Sequence, residues 1–143
     1  MKRKILLAVL FKKIETLFEA ATYAEAGAFE IAREVLEKET DKEALLYAEN
    51  LGKRIGAEIE ILYVIKPSKR KTLKRKLKKL FYYFTKKIIP NANLSIGNLE
   101  EEITNYVKTH NEILFTIVSE RDIKTLQKCK ELNCPLIVIK PKS

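Results

Sequence analysis

Residues 40–65, TDKEALLYAENLGKRIGAEIEILYVI, combine a helical pattern and a strand pattern with a short connection between them. Thr40 and Glu43 have the spacing of a capping box, in which two side chains satisfy free backbone N–H groups at a helix start. Gly56 stands where a helix that continues to about residue 55 would end, because glycine adopts the left-handed conformation that closes helices. Residues 58–65 are rich in Ile, Leu, Val and Tyr, which predicts a buried strand. The stretch therefore predicts one helix–strand unit of an α/β fold.

The same alternation continues along the chain. Four further runs have the composition of strands, the second of them more weakly: residues 4–10, 93–96, 112–118 and 135–139. Asn98 with Glu101, and Ser119 with Asp122, predict the capped starts of two more helices. Strands that alternate with helices predict a parallel sheet with right-handed crossovers.

Two segments depart from the simple alternation. Residues 11–40 have a helical pattern that is broken at Gly27, which predicts an inserted helical hairpin after the first strand. Residues 66–87 contain eleven Lys/Arg and no Asp/Glu, in a chain whose formal net charge is only +9. Leucine and phenylalanine recur there at helical spacing, so we expect a basic amphipathic helix over residues 66–89.

A positive charge concentrated in one segment can attract phosphates, acidic lipids or an acidic protein surface. The candidate anion-contacting side chains are Lys69, Arg70, Lys71, Lys74, Arg75, Lys76, Lys78 and Lys79. The plain alternative is that the apolar stripe covers the sheet and the basic side chains are only solvated.

At 143 residues the chain is long enough for one domain, 1–143, with a sizeable core. No apolar run approaches the roughly 18 residues that span a bilayer. The apolar residues 5–11 end at Lys12 without a nearby cleavage site, so they predict a buried first strand rather than a signal peptide. We therefore expect a cytoplasmic protein, and its Lys/Glu-rich, amide-poor composition is typical of proteins from hot environments.

Few side chains offer catalytic or metal-binding chemistry. His110 is the single histidine, and Cys129 and Cys134 are too few for a disulfide scaffold. The glutamates at 100–102 are consecutive, and adjacent helical positions do not face one another as an acid/base pair must. The chain has no glycine-rich phosphate loop. We expect free thiols, no metal site and no enzymatic activity, with weak nucleotide hydrolysis as the alternative.

Residues 41–64, 99–118 and 133–139 resemble the universal stress protein family in their order and spacing. With the first strand, the resemblance covers most of residues 1–10 and 41–140. It implies an open five-stranded parallel sheet of order 3-2-1-4-5 with helices on both faces. This is a Rossmann-like fold of the adenine-nucleotide alpha-hydrolase type. It also implies a homodimer formed through the last strand.

Some members of that family bind ATP beyond the carboxyl ends of strands 1 and 4, and this chain departs from the family there. Its first strand ends in Leu10 and Phe11 instead of an Asp-containing turn, and no glycine follows Gly97. Glycine lets a backbone approach a phosphate without a Cβ in the way. The sequence therefore predicts a divergent member that lacks the glycine motif and has no bound cofactor, with ATP or another adenine nucleotide as the alternative.

Three functions follow from these patterns. The first is a binding or regulatory module that acts through protein partners or dimerisation without ATP. The second is a nucleotide-binding protein with a non-standard phosphate site, whose candidate contacts are Leu10, Val64, Lys66, Ser119 and Arg121. The third is binding of a nucleic acid or another anionic surface through residues 66–87, which salt would weaken steeply. If the hairpin folds over strand ends 1 and 4, we expect Phe11, Leu17 or Phe18 to fill the ligand crevice.

Overall fold

The computed structural model describes residues 3–11, 14–38, 40–66, 91–122 and 135–140. Within them, five parallel strands form one sheet: β1 (Lys4–Phe11), β2 (Glu58–Ile65), β3 (Ala92–Ile96), β4 (Ile113–Ser119) and β5 (Leu136–Ile139). Their order is β3-β2-β1-β4-β5. The predicted α/β class and strand order are confirmed, and each predicted strand is present with its ends shifted by at most one residue.

Four helices belong to the described residues: α1 (Ile14–Glu25), α2 (Phe29–Glu37), α3 (Lys42–Ile55) and α4 (Leu99–Thr109). The first two form the predicted hairpin, and Gly27 turns the chain between them with φ +81°. A short 3-10 turn, Glu120–Asp122, follows β4. The basic helix predicted over 66–89 lies outside the described residues apart from Lys66, as do both cysteines and most of the helix predicted after Ser119.

The helix caps confirm two predictions and correct a third. Gly56 ends α3 in the left-handed conformation, and the Asn98 side chain accepts hydrogen bonds from the first N–H groups of α4. The predicted capping box of Thr40 and Glu43 is wrong. Asp41 caps α3 instead, and its Oδ1 accepts a hydrogen bond from the Glu43 N–H group at 3.0 Å. Asp41 lies one residue nearer the helix than Thr40, and its carboxylate satisfies the Glu43 N–H group that a Thr40 cap would bind.

Helices cover both faces of the sheet, as alternation of the strand side chains requires. On one face, odd-numbered residues of β1 join a cluster with α1, α2 and α3; its fully buried members include Ile5, Leu17, Ala20, Ala32, Leu36 and Ala48. On the other face, even-numbered residues of β1 pack with α4; this cluster includes Leu6, Ala8, Leu99 and Ile103. The hairpin is therefore part of the main core and shares its face with α3.

A polar network crosses the α4 face of the sheet. Glu60 on β2 accepts a hydrogen bond from the Tyr106 hydroxyl at 2.5 Å and forms an ion pair with Lys4 at 3.3 Å. The Asn93 amide donates to the same hydroxyl, and the His110 ring stacks on Tyr106 at 3.9 Å between centroids. His110 is thus a stacked residue at the end of α4, as a structural role predicts.

Gly52 allows α3 to approach the start of β2 closely. An added Cβ would lie 2.8 Å from the Ala57 carbonyl oxygen, which is fixed backbone. We therefore expect Gly52→Ala to lower the free energy of unfolding by about 1–3 kcal/mol, although alanine has the higher helix propensity. Urea unfolding measures this change. Asn50→Ala, at an exposed position of the same helix, is the control and should be neutral or slightly stabilising; equal stability of both variants would contradict the argument.

Candidate functional site at the ends of strands 1 and 4

The strand order reverses between β1 and β4, and parallel sheets bind ligands in the crevice beyond this point. β1 ends at Phe11 and β4 ends at Ser119, so these residues mark the crevice in this chain. The neighbouring groups come from two other places, the start of α3 and the 3-10 turn that follows β4. The site is therefore built by segments that are far apart along the chain.

Ser119 and Asp41 join the end of β4 to the start of α3. The buried Ser119 hydroxyl donates a hydrogen bond to Asp41 Oδ2 at 2.7 Å, across 78 positions of sequence. The other carboxylate oxygen of Asp41 accepts the capping bond from Glu43. One short carboxylate thus closes the helix start and occupies the hydroxyl that a ligand at the crevice would otherwise use.

Asp122 makes the corresponding link to β1. Its side chain is buried, and Oδ2 accepts a hydrogen bond from the Leu10 backbone N–H group at 3.3 Å. Oδ1 lies 3.5 Å from Nε of Arg121, whose guanidinium balances part of the buried negative charge. A backbone donor at the end of β1 is therefore already bound to a carboxylate of the chain.

An aromatic pair lies beside these carboxylates on the hairpin face. Phe11 and Tyr63 meet edge to face with their ring centroids 5.6 Å apart. Burial raises the pKa of Tyr63, the neighbouring Thr40 hydroxyl lowers it in part, and the carboxylate of Glu37 on α2 raises it further. Leu17 of α1 is fully buried in the same cluster. The hairpin thus shares one buried apolar cluster with the carboxyl ends of β1 and β2.

The structure brings together only some of the candidate contacts predicted from the sequence. Ser119 donates to Asp41, and the Leu10 backbone N–H group donates to Asp122. Arg121 lies beside this second carboxylate as its ion-pair partner. Val64 is buried on the opposite face of the sheet, in the cluster with α4. Lys66 is exposed after β2. The candidates from Lys69 to Lys79 lie outside the described residues.

Sequence reasoning assigned Asp122 to helix capping and gave Asp41 no role in the site. A compositional signal could have found both residues. They are the only two aspartates of the chain, which uses glutamate for its other 17 acidic residues. An aspartate in a chain that otherwise uses glutamate indicates a close contact in which the longer glutamate side chain would not fit.

The described residues contain no group of three or more His, Cys, Asp or Glu side chains arranged to hold a metal ion. No helix among them combines the length and the hydrophobicity that crossing a bilayer requires. The arrangement at the crevice is a set of internal hydrogen bonds to two carboxylates.

Solved structures with a similar fold include universal stress proteins. A Pseudomonas aeruginosa UCBPP-PA14 chain assigned to that family superposes with a TM-score of 0.54 at 12% identity, over 99% of this chain and 48% of its own. The universal stress protein UspA of Lactobacillus plantarum gives 0.51 at 17% identity, over 97% of this chain and 99% of its own. A Pseudomonas aeruginosa PAO1 protein of unknown function gives 0.53 at 11% identity, over 99% and 48%.

The chain spans about half the length of the two Pseudomonas chains and nearly all of the Lactobacillus chain. No protein-family model and no curated protein matches its sequence. At these identities the likeness is one of fold, and the fold of this chain is that of the universal stress proteins.

The link between Ser119 and Asp41 should be measurable as a coupling. We expect Ser119→Ala and Asp41→Ala each to lower the free energy of unfolding, and the double variant to lose about 1–2 kcal/mol less than their sum. The cycle separates the shared hydrogen bond from the loss of the α3 cap. Thr109→Ala combined with Asp41→Ala is the control cycle and should be additive. Additivity for Ser119 as well would mean that the bond contributes nothing.

The two tyrosines with raised pKa values should ionise late. Burial raises the pKa of Tyr106, and its hydrogen bond to Glu60 raises it further; burial also raises that of Tyr63. A tyrosine whose pKa is raised by folding favours the folded state while its hydroxyl is protonated. This contribution to the free energy of unfolding is complete at pH values below the ordinary tyrosine pKa of about 10, and it is lost as the pH rises above that value toward the raised pKa.

We therefore expect part of the tyrosinate absorbance to appear only with alkaline unfolding. Tyr63→Phe and Tyr106→Phe should each remove one residue's share of this late phase. A titration in concentrated guanidinium, where the folded environment is absent, provides the reference. A single early phase in the native protein would contradict the expectation.

Proposed function

We propose that this chain, which has the fold of the universal stress proteins, is a binding or regulatory module that acts through protein partners rather than through bound ATP. It carries no catalytic role in this proposal. The observation that supports it best is the occupation of the crevice donors by the chain's own carboxylates. Leu10 N–H is bound by Asp122 and the Ser119 hydroxyl by Asp41.

The electrostatics of the crevice favour this proposal. A nucleotide triphosphate needs backbone N–H groups, hydroxyls or cations directed at its oxygens. Here two carboxylates lie where such donors would be needed, and like charges at close range repel each other. Arg121 brings a cation to this point, but its Nε already lies 3.5 Å from Asp122. ATP would have to break these contacts before it could gain its own.

The backbone around the crevice supports the same conclusion. The chain from Ser119 passes directly into the turn Glu120–Asp122, and the sequence has no glycine after Gly97. Each residue of that turn carries a Cβ, which limits how closely a phosphate approaches the backbone. Phe11, at the end of β1, and Leu17 of α1 are both buried in the apolar cluster on the hairpin face. In our proposal the hairpin takes the place of a ligand there.

The remaining surfaces are suited to partners. β5 is one of the two edge strands of the sheet, the other being β3, and the four residues of β5 are all half-buried. An edge strand presents unpaired backbone groups that a second strand can bind. A homodimer formed through β5 is therefore part of the proposal. Nucleic-acid binding through residues 66–87 stays a prediction from the sequence, because that segment falls outside the described residues.

Calorimetric titration of nucleotide-stripped protein with Mg–ATP tests the proposal. At near-physiological salt we expect no saturable heat up to millimolar ATP, because the crevice donors are already bound internally. The same titration with Asp122→Asn asks whether removing one buried charge creates affinity; any gain there would locate the block at Asp122.

Saturable binding of one ATP per wild-type chain in the micromolar range would overturn the proposal and favour a nucleotide-binding protein. Ser119→Ala and Arg121→Ala would then show whether that site is the crevice. Lys108→Ala, an exposed cation at the end of α4, is the matched control for the loss of one positive charge.

A further inference from the structure

The solvent-facing side of the hairpin, which we call the acidic face, carries a net negative charge. Six glutamates of α1 and α2 are all exposed: Glu15, Glu19, Glu25, Glu30, Glu34 and Glu37. Arg33 and Lys38 are the only basic residues between positions 14 and 38, which leaves a net charge of −4. The acidic face lies on the exposed side of helices whose other side is buried in the core.

Repulsion within the acidic face is clearest on α1. Glu15 and Glu19 are spaced i,i+4, where like charges destabilise a helix, and α1 contains no basic residue. On α2 the repulsion between Glu30 and Glu34 is offset by two attractive pairs of the same spacing. These pairs are Arg33 with Glu37 and Glu34 with Lys38. Ile31 is 45% exposed and follows Glu30 on α2, so the acidic face also includes apolar area. A surface with a net negative charge and an exposed aliphatic side chain gains stability when a cationic partner covers it.

The chain itself contains a matching cationic segment. Residues 66–87 carry eleven Lys/Arg and no acidic residue, whereas the rest of the sequence outside that segment has a net charge of −2. Phe11 and Ile65 are register partners on β1 and β2. The strands that precede the hairpin and the basic segment therefore end side by side in the sheet.

Each copy of the chain carries one acidic face and one basic segment, so two copies related by a twofold axis can form both contacts at once. We propose that the acidic face binds the Lys/Arg-rich segment 66–87 of a second copy of this chain, with the reciprocal contact formed at the same time. The inference rests on the proposed function in assigning this surface to partner binding. It concerns a different surface from β5, and its test involves no nucleotide.

Reciprocal charge reversal tests this pairing. One variant, the reversed hairpin, carries Glu19→Lys, Glu30→Lys and Glu34→Lys. The other, the reversed segment, carries Lys71→Glu, Arg75→Glu and Lys78→Glu, at positions spaced along one side of the predicted helix. Sedimentation equilibrium of the full-length proteins, at low and high salt, measures association. Circular dichroism checks that each variant is folded.

We expect each variant alone to associate at least about tenfold more weakly than the wild type at low salt, because like charges then face each other. An equimolar mixture should associate about as tightly as the wild type, since both reciprocal contacts become attractive again. High salt should weaken the wild type and the mixture alike. Recovery on mixing is the result that supports the proposal, because changes in folding or in net charge alone would not produce it.

Two other results would overturn it. If neither variant recovers on mixing but one chain carrying all six changes behaves like the wild type, the contact lies within one chain. If association is unchanged in both variants and insensitive to salt, the copies meet elsewhere, as they would through β5. Glu49→Lys with Glu101→Lys, both exposed outside the hairpin, controls for the altered net charge and should leave association within about twofold of the wild type.

Discussion

Two short carboxylates hold together the part of the sheet where its winding reverses. Asp41 connects α3 to the end of β4 through Ser119, and Asp122 connects the turn after β4 to the end of β1 through the Leu10 backbone. At such a point, the segments of chain that follow the two neighbouring strands pass to opposite faces of the sheet. The hydrogen bonds between the strands do not join these two segments to each other. Hydrogen bonds to charged acceptors, of which one is buried here and the other partly buried, are strong enough to supply that connection.

The hairpin depends on the same connection. It is inserted between β1 and α3, so the chain must leave the sheet after Phe11 and return to begin α3 at Asp41. Alanines at 20, 24 and 32 are fully or almost fully buried, which lets the two helices lie close to each other and to the core. The bond from Ser119 then fixes the point of return. An insertion of this kind leaves the order of the strands unchanged, because the chain leaves and returns at the same carboxyl-terminal end of the sheet.

The sequence predicted the sheet more completely than the site, for a physical reason. Buried strands such as residues 58–65 and terminal signals such as Gly56 and Asn98 are local features, and their composition is decided by contacts within a few positions. Asp41 and Ser119 meet across 78 positions, and no local pattern distinguishes an aspartate that caps a helix from one that also binds a distant hydroxyl. The cap itself was misplaced by one residue because Thr40 and Asp41 are both good capping residues.

Internal hydrogen bonds that fill a crevice change which ligands the carboxyl-terminal end of a sheet can recognise. An open crevice selects small anions by directing a few N–H groups and hydroxyls at them, and it works only while those donors are free. Once Leu10 N–H and the Ser119 hydroxyl are bound internally, the remaining selectivity at that end lies in the exposed side chains around it. The hairpin carries a net negative charge, and residues 66–87, which follow β2 in the sequence, carry eleven positive charges. In the proposed function, recognition at this end of the sheet favours an extended, charged protein surface over a small ligand.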